Sequence, residues 1–305
     1  MNSIKYILTL GTVAALLLPL ASCQKDQNIF SETPAERTQR TMNEALKTLQ
    51  GAVYGWEMSV YPSPDKSFGG YTLFVRFDKN GTAAISDELQ IDPSVVTESL
   101  YAVDNSNGPT LTFDTYNVSM HRYSEPASES FEASLATGAN GDYSFQIISA
   151  TEDKVVLRGV RSLVYAELKP LKTAYWQPLV ENIKNASNNF FLPTAKAQID
   201  GTTVSGARMT GKRHLLFTYK GVDYDLPFRF TTTGIELYEP LSIAGLTVQT
   251  LTNKGTLEMP VLADASGKFE VSYEENLPVL LLSSVFQYSS DKATGRFASA
   301  LSNMN

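Results

Sequence analysis

The densest gathering of groups able to hold a ligand lies between Leu111 and Tyr123, in the run Leu-Thr-Phe-Asp-Thr-Tyr-Asn-Val-Ser-Met-His-Arg-Tyr. Period-two alternation buries Leu111 and Phe113 and delivers Asp114, Tyr116 and Asn117 to a strand end, with His121 just beyond. Asp142 and Tyr143 stand at the start of the following strand. Carboxylates, phenols, an amide and an imidazole at neighbouring strand ends can converge on one ligand through hydrogen bonds and ring contacts. Asp114, Tyr116, Asn117, His121, Asp142 and Tyr143 are therefore the candidate binding face. The same residues also admit a structural role, with Asp114 and Asn117 capping a turn and His121 hydrogen-bonded to a backbone carbonyl.

Covalent and metal chemistry find less support. The chain has two histidines and one cysteine, and it lacks Gly-x-Ser-x-Gly, His-Glu-x-x-His and Cys-x-x-Cys. Gly69-Gly70 and Gly138-Ala139-Asn140-Gly141 are too short to cradle a phosphate. Asp104 to Gly108 resembles a calcium loop, but its glycine comes one position early and no glutamate closes it, so a hairpin turn explains it better. No catalytic residue, metal site or cofactor is expected. A glycosidase-like hydrolase needs only two carboxylates and stands as an alternative, although 32 acidic residues single out no pair. A structural subunit of an outer-membrane complex is a third reading. Trp56, Trp176, Tyr61 and Tyr71 could stack on sugar rings if exposed; Trp56, opening the first strand, is expected in the core instead.

The elements that must carry these residues are mostly strands. Thr33-Pro34-Ala35-Glu36 combines a capping box with proline at the first helical position. Met42, Leu46, Leu49 and Val53 follow on one helical face, until Gly51 and Gly55 end the helix. Alternating runs are then predicted at Trp56–Tyr61, Tyr71–Phe77, Ser99–Val103, Thr110–Thr115, Tyr143–Ile148, Val155–Gly159 and Leu163–Leu168. Turn residues separate them, as in Asp78-Lys79-Asn80-Gly81. Arg122 to Asn140 lacks periodicity and reads as a long loop. A second helix is predicted from Tyr175 to Phe190.

Strands resume at Ala197–Val204, His214–Tyr219, Tyr224–Phe230, Gly234–Tyr238, Thr247–Leu251, Thr256–Val261 and Lys268–Tyr273. Leu73 to Gly81 aligns without gaps on Leu226 to Gly234, which suggests a duplicated β-unit. The apolar run Val279 to Phe286 is compatible with either strand or helix. The expected fold is mainly β: two antiparallel β-rich units, the first a lipocalin-like meander or barrel, with an N-terminal helix and a connecting helix. The boundaries are a leader at 1–22, a tether at 23–33, the first domain at 34–172, the connecting helix at 173–192, and a second unit at 193–305 that looks truncated.

The leader comprises Lys5, an apolar stretch from Ile7 to Leu20, and the small residues Ala21 and Ser22. Leu20-Ala21-Ser22-Cys23 resembles a bacterial lipobox, so Cys23 is the expected lipidation site. Acyl chains contribute about 0.8 kcal/mol per buried methylene, enough for two or three of them to anchor a folded body. The following Gln24-Lys25-Asp26-Gln27-Asn28 resembles a surface-export signal, which places the protein on the outer membrane, exposed at the cell surface. The net charge is −7, and loss of the leader removes one further cation, Lys5. An acidic chain of this kind lacks the basic footprint of a nucleic-acid binder.

The Pro-Ala-Glu-Arg start at Pro34, Gly55-Trp56, Gly69-Gly70-Tyr71, Ser99-Leu100-Tyr101, Leu111 to Asn117, Gly141-Asp142-Tyr143 and Phe228 to Pro240 resemble a lipoprotein family of Bacteroidetes built on a domain of unknown function (DUF4302). The resemblance spans nearly all of the expected mature chain, with Leu111 to Asn117 its most specific part. It implies an accessory of nutrient uptake encoded beside SusC/SusD-type transporters. Such an accessory would hold a glycan, peptide or haem-type ligand without transforming it. No catalytic residue carries over from the family.

Overall fold

The computed structural model describes residues 32–106, 108–126, 138–256 and 259–273. The leader, the expected lipidation site Cys23 and the apolar run at 279–286 lie outside the described residues, as do most of the tether and much of the predicted loop. The chain divides into two compact units after Thr41. In the first, the capping box forms as its residue types dictate. The Thr33 N–H donates to Glu36 Oε2 at 2.7 Å, and the Glu36 N–H donates back to Thr33 Oγ1 at 3.3 Å. These bonds open helix α1 (Pro34–Gly51), whose first turn Arg40 supports through Glu32.

The second unit contains two closed antiparallel barrels of eight strands each. The first consists of β1 (Trp56–Val60), β2 (Tyr71–Phe77), β3 (Thr82–Asp87), β4 (Thr97–Asp104), β5 (Thr110–Phe113), β6 (Ser144–Ala150), β7 (Val155–Gly159) and β8 (Tyr165–Pro170). Each strand pairs with the next, and β1 pairs with β8 through Trp56↔Pro170 to Met58↔Leu168. A short helix α2 (Val118–His121) lies between β5 and β6, and helix α3 (Trp176–Asn189) follows β8. The second barrel consists of β9 (Ala195–Ile199), β10 (Thr202–Met209), β11 (His214–Tyr219), β12 (Val222–Phe230), β13 (Gly234–Ile243), β14 (Leu246–Asn253), β15 (Val261–Ala263) and β16 (Phe269–Tyr273). It closes by pairing β16 with β9 over Phe269↔Ile199 to Tyr273↔Ala195.

The expected pair of β-rich units is therefore two complete rings of strands, the first an up-and-down meander of lipocalin type. Several local expectations change. The run predicted as one strand from Ala197 to Val204 is a hairpin, because Asp200 and Gly201 both take positive φ and turn β9 into β10. Strand β3 was not prefigured; its two alanines carry little strand propensity, and it is held by pairing on both sides. The aligned segments Leu73–Gly81 and Leu226–Gly234 occupy the second strand of one barrel and the fourth of the other. They are thus not equivalent positions of a simple duplication. Val53, expected on the buried helical face, is 79% exposed, because the helix has ended and a turn has begun.

Both barrels are filled by their own side chains. Trp56, Leu73, Val75, Ile85, Phe113 and Leu157 meet inside the first. Leu49 joins them from the C-terminal turn of α1, where the Trp56 indole N–H donates to the Leu49 carbonyl at 2.8 Å. At the opposite end Met120 of α2 and Tyr123 seal the ring. In the second barrel Phe217, Phe228, Phe230 and Phe269 dominate, and Val180, Ile183 and Ala186 of α3 pack on them. Phe74 and Ala84, on the outer face of the first barrel, belong to that same second cluster. Strand β2 is consequently buried on both faces except at Arg76, which overrides the alternation expected of it.

Charge as well as apolar surface is buried between the barrels. Arg229, on β12, is 2% exposed. It pairs with Glu57 of the first barrel at 2.7 Å and with Glu236 of the second, and donates to Thr72 Oγ1 at 2.8 Å. Lys169 completes the group by donating to Glu236 Oε1 at 2.6 Å. Nearby, Arg213 forks onto both oxygens of Glu88 at 3.0 and 2.9 Å and covers the Tyr71 ring. Gly69 permits this approach, since a Cβ there would lie 2.5 Å from the Arg213 Cβ and 2.6 Å from the Lys212 carbonyl.

Removing the Arg229 guanidinium takes from the part-buried Glu57 its ion-pair partner, leaves Glu236 with Lys169 alone, and opens a hole in the seam. Arg229→Ala should cost about 3–5 kcal/mol in urea unfolding, against at most about 1 kcal/mol for the exposed Lys268–Asp200 pair. Burial pushes the Glu236 carboxyl up, but Arg229 and Lys169 outweigh it and hold it below its ordinary 4.5. Its contribution to stability is therefore present above that value and lost as pH falls through the lowered folded one. Unfolding of Arg229→Ala across this acid range should show a shallower loss than the natural chain.

Candidate functional site

The candidate residues sit at the α2 end of the first barrel, on the connection from β5 to β6. The Asp114 N–H donates to the Leu100 carbonyl at 2.8 Å and prolongs the β4–β5 pairing by one residue. The chain then leaves the sheet, and Asn117, in extended conformation, caps α2 by accepting from the Met120 N–H at 3.2 Å. Its amide donates to Thr97 Oγ1 at 2.9 Å. Arg122 fixes the segment from below, reaching Asp87 at 3.3 Å and the Val118 carbonyl at 2.9 Å.

This scaffold brings three rings together. The His121 and Tyr143 rings stack with centroids 4.8 Å apart, and the Tyr116 ring lies tilted against His121 with centroids 5.5 Å apart. Tyr116 is 62% and Tyr143 44% exposed. His121 Nδ1 lies 3.1 Å from both the N–H and the carbonyl of Asn117, which fixes the ring's orientation in either tautomer. The Tyr116 hydroxyl donates to Glu125 Oε2 at 3.3 Å. Loss of solvation and the Glu125 carboxylate push that phenol up, so it stays neutral at physiological pH. The result is an aromatic ledge of three contacting rings centred on His121, with the exposed Asp114 carboxylate close by in sequence.

The six candidates divide by what their side chains touch. Tyr116, His121 and Tyr143 form the ledge, and Asp114 faces solvent. Asn117 and Asp142 serve the backbone. Asp142 is buried, and its carboxylate accepts from the Arg161 N–H at 2.6 Å and the Ser162 N–H at 3.2 Å, holding the β7–β8 turn. Glu125 was missed, although its Ser-Glu pair in an aperiodic stretch was the available signal. The four aromatics considered for sugar stacking are buried: Trp56, Tyr61, Tyr71 and Trp176. Among the described residues no three His, Cys, Asp or Glu side chains gather to hold a metal ion. No described helix is long and apolar enough to cross a membrane.

The family described as Domain of unknown function (DUF4302) matches residues 26–255, well over half of the sequence. The chain belongs to this family. No curated protein and no solved structure matches it. The DUF4302 match takes in the whole first barrel, α3, and the second barrel through β14. Several of the residues that resembled the family have packing reasons in this fold. Gly55 has φ +88°, and a Cβ on it would lie 2.7 Å from the Val75 carbonyl and 2.8 Å from the Trp176 ring. The capping side chains of Asn117 and Asp142 likewise hold the DUF4302 ledge in place.

Asn117→Ala should cost about 1 kcal/mol through the lost cap. Asp142→Ala should cost about 1.5–3 kcal/mol, because a charged acceptor is withdrawn from two backbone N–H groups. Tyr116→Ala and Tyr143→Ala, at exposed positions, should stay within about 0.5 kcal/mol of the natural chain, all four being read by chemical denaturation.

Proposed function

We propose that this DUF4302 protein is a lipid-anchored lipoprotein of the outer-membrane surface that captures a ligand for a nutrient-uptake system without transforming it. The observation that carries the reading is the exposed Tyr116–His121–Tyr143 ledge on a barrel whose interior is filled. Flat rings held by packing present a large contact area at small entropic cost, which suits the face of a sugar, a peptide side chain or a haem-type macrocycle. The lipobox-like sequence ending at Cys23 supports the anchor, and the acidic charge favours a body that stands off an anionic surface. A SusC/SusD-type transporter is the partner this reading implies.

Two measurements test the halves of the proposal separately. Tyr143→Ala and Tyr116→Ala should each weaken retention of bound glycan or haemin by at least about tenfold while leaving the melting temperature unchanged. Unaltered retention in both variants would remove the ledge from the function. Cys23→Ser should abolish incorporation of labelled palmitate and release the protein from the membrane fraction. Labelled serine variant would overturn the anchor.

A further inference from the structure

A second concave surface lies away from the ledge, where the β3–β4 loop of the first barrel faces the start of α3. It is an open cleft of about 460 Å³, within the range of small-molecule sites. Its lining is mostly apolar, and Arg76 is the only charged residue in it. In a chain of net charge −7, the one charge lining this cleft is a cation, which Asp78 engages on one side only. Arg76 is half-exposed. Its Nε donates to Asp78 Oδ1 at 3.1 Å, and Nη1 and Nη2 have no hydrogen-bond partner among the described residues.

The aromatic wall beside it is preformed. Trp176 donates its indole N–H to the Tyr54 carbonyl at 2.9 Å and rests against Phe74 with ring centroids 6.3 Å apart. The Arg76 guanidinium carbon stands 6.0 Å from the Trp176 ring centroid. Tyr175, 78% exposed, and Val96, half exposed, form an apolar rim that no other described residue covers. Tyr175 is also the N-cap of α3 and contributes no side-chain cap, and the first turn carries no acid. The backbone at this end adds positive potential of the same sign as Arg76.

We propose that this cleft is a binding site for a small monoanion in which one carboxylate sits on a ring-shaped body. The two free guanidinium nitrogens match a carboxylate's two oxygens, and the exposed Tyr175 and Val96, with the edge of the otherwise buried Trp176 behind them, take the body. A phosphate dianion fits less well, since it calls for more than one cation and a polar lining. Two sources share this chemistry, an acidic sugar and an aromatic acid, and the test separates them.

The protein contains only two tryptophans, Trp56 deep in the first core and Trp176 at the floor of the cleft, so fluorotryptophan labelling yields two fluorine resonances, assigned with Trp176→Phe. Galacturonate and phenylacetate, each with one carboxylate, are titrated against their neutral partners, the galacturonate methyl ester and phenylacetamide. At least one acid should shift the Trp176 signal saturably and leave Trp56 unmoved, with its neutral partner at least about tenfold weaker. Arg76→Gln should lose the same factor without lowering the melting temperature, since an exposed ion pair contributes little to stability. Failure of both acids to move Trp176 up to about 10 mM overturns the proposal, as does equal binding of acid and neutral partner or undiminished binding by Arg76→Gln.

Discussion

Everything between the two barrels is organised around one buried cation. Arg229 reaches out of the second barrel to Glu57 and Thr72 of the first while keeping Glu236 of its own sheet. Burying a guanidinium is costly, and the cost is offset only where carboxylates and hydroxyls meet its donors in fixed geometry. That requirement fixes the two sheets against each other at β1, β2, β12 and β13. Once they are fixed, Phe74 and Ala84 must leave the first barrel's outer surface for the second barrel's core, and α3 fills the remaining wedge. Arg213 with Glu88 repeats the arrangement at the edge of the same seam.

A consequence is that neither barrel resembles a lipocalin in use, however closely the first follows the meander. Eight strands enclose a space that side chains can fill or that can hold one small ligand. Here tryptophan, phenylalanine and leucine fill it from one side, and Leu49, Met120 and Tyr123 close the ends. Binding is therefore left to outer features: the ledge on the β5–β6 connection and the cleft beside α3. Both rest on elements whose other faces are in the core, so their rings are held before any ligand arrives.

The fold was largely legible in the sequence because short alternating strands and turn residues follow from local chemistry. The capping box at Thr33 and Glu36, the burial of Trp56 and the helix after Tyr175 rest on equally local signals. What escaped was long-range. The alternation expected of Tyr71–Phe77 is lost because a second barrel covers its outer face, and nothing within the strand announces that cover. The Ala197–Val204 run conceals a hairpin because Asp200, a non-glycine residue, takes positive φ ahead of Gly201. At the site, alternation brought Asp114 to the end of β5 with Tyr116 just past it, whereas His121 lies in α2, a helical turn that the strand pattern did not announce. Whether a polar side chain there faces solvent or caps a backbone depends on neighbours such as Thr97, Arg161 and Ser162, which are distant in sequence. Asn117 and Asp142 could not be told from Asp114 on that ground.

The central claim is that the seam joins two filled barrels into one cooperative body. Native-state hydrogen exchange reads it most directly, by comparing the slowest amides of β2 and β3 with those of β12 and β13. One shared opening free energy is expected for both sets, moving together with denaturant. Slow exchange in one barrel while the other opens at markedly lower cost would contradict it.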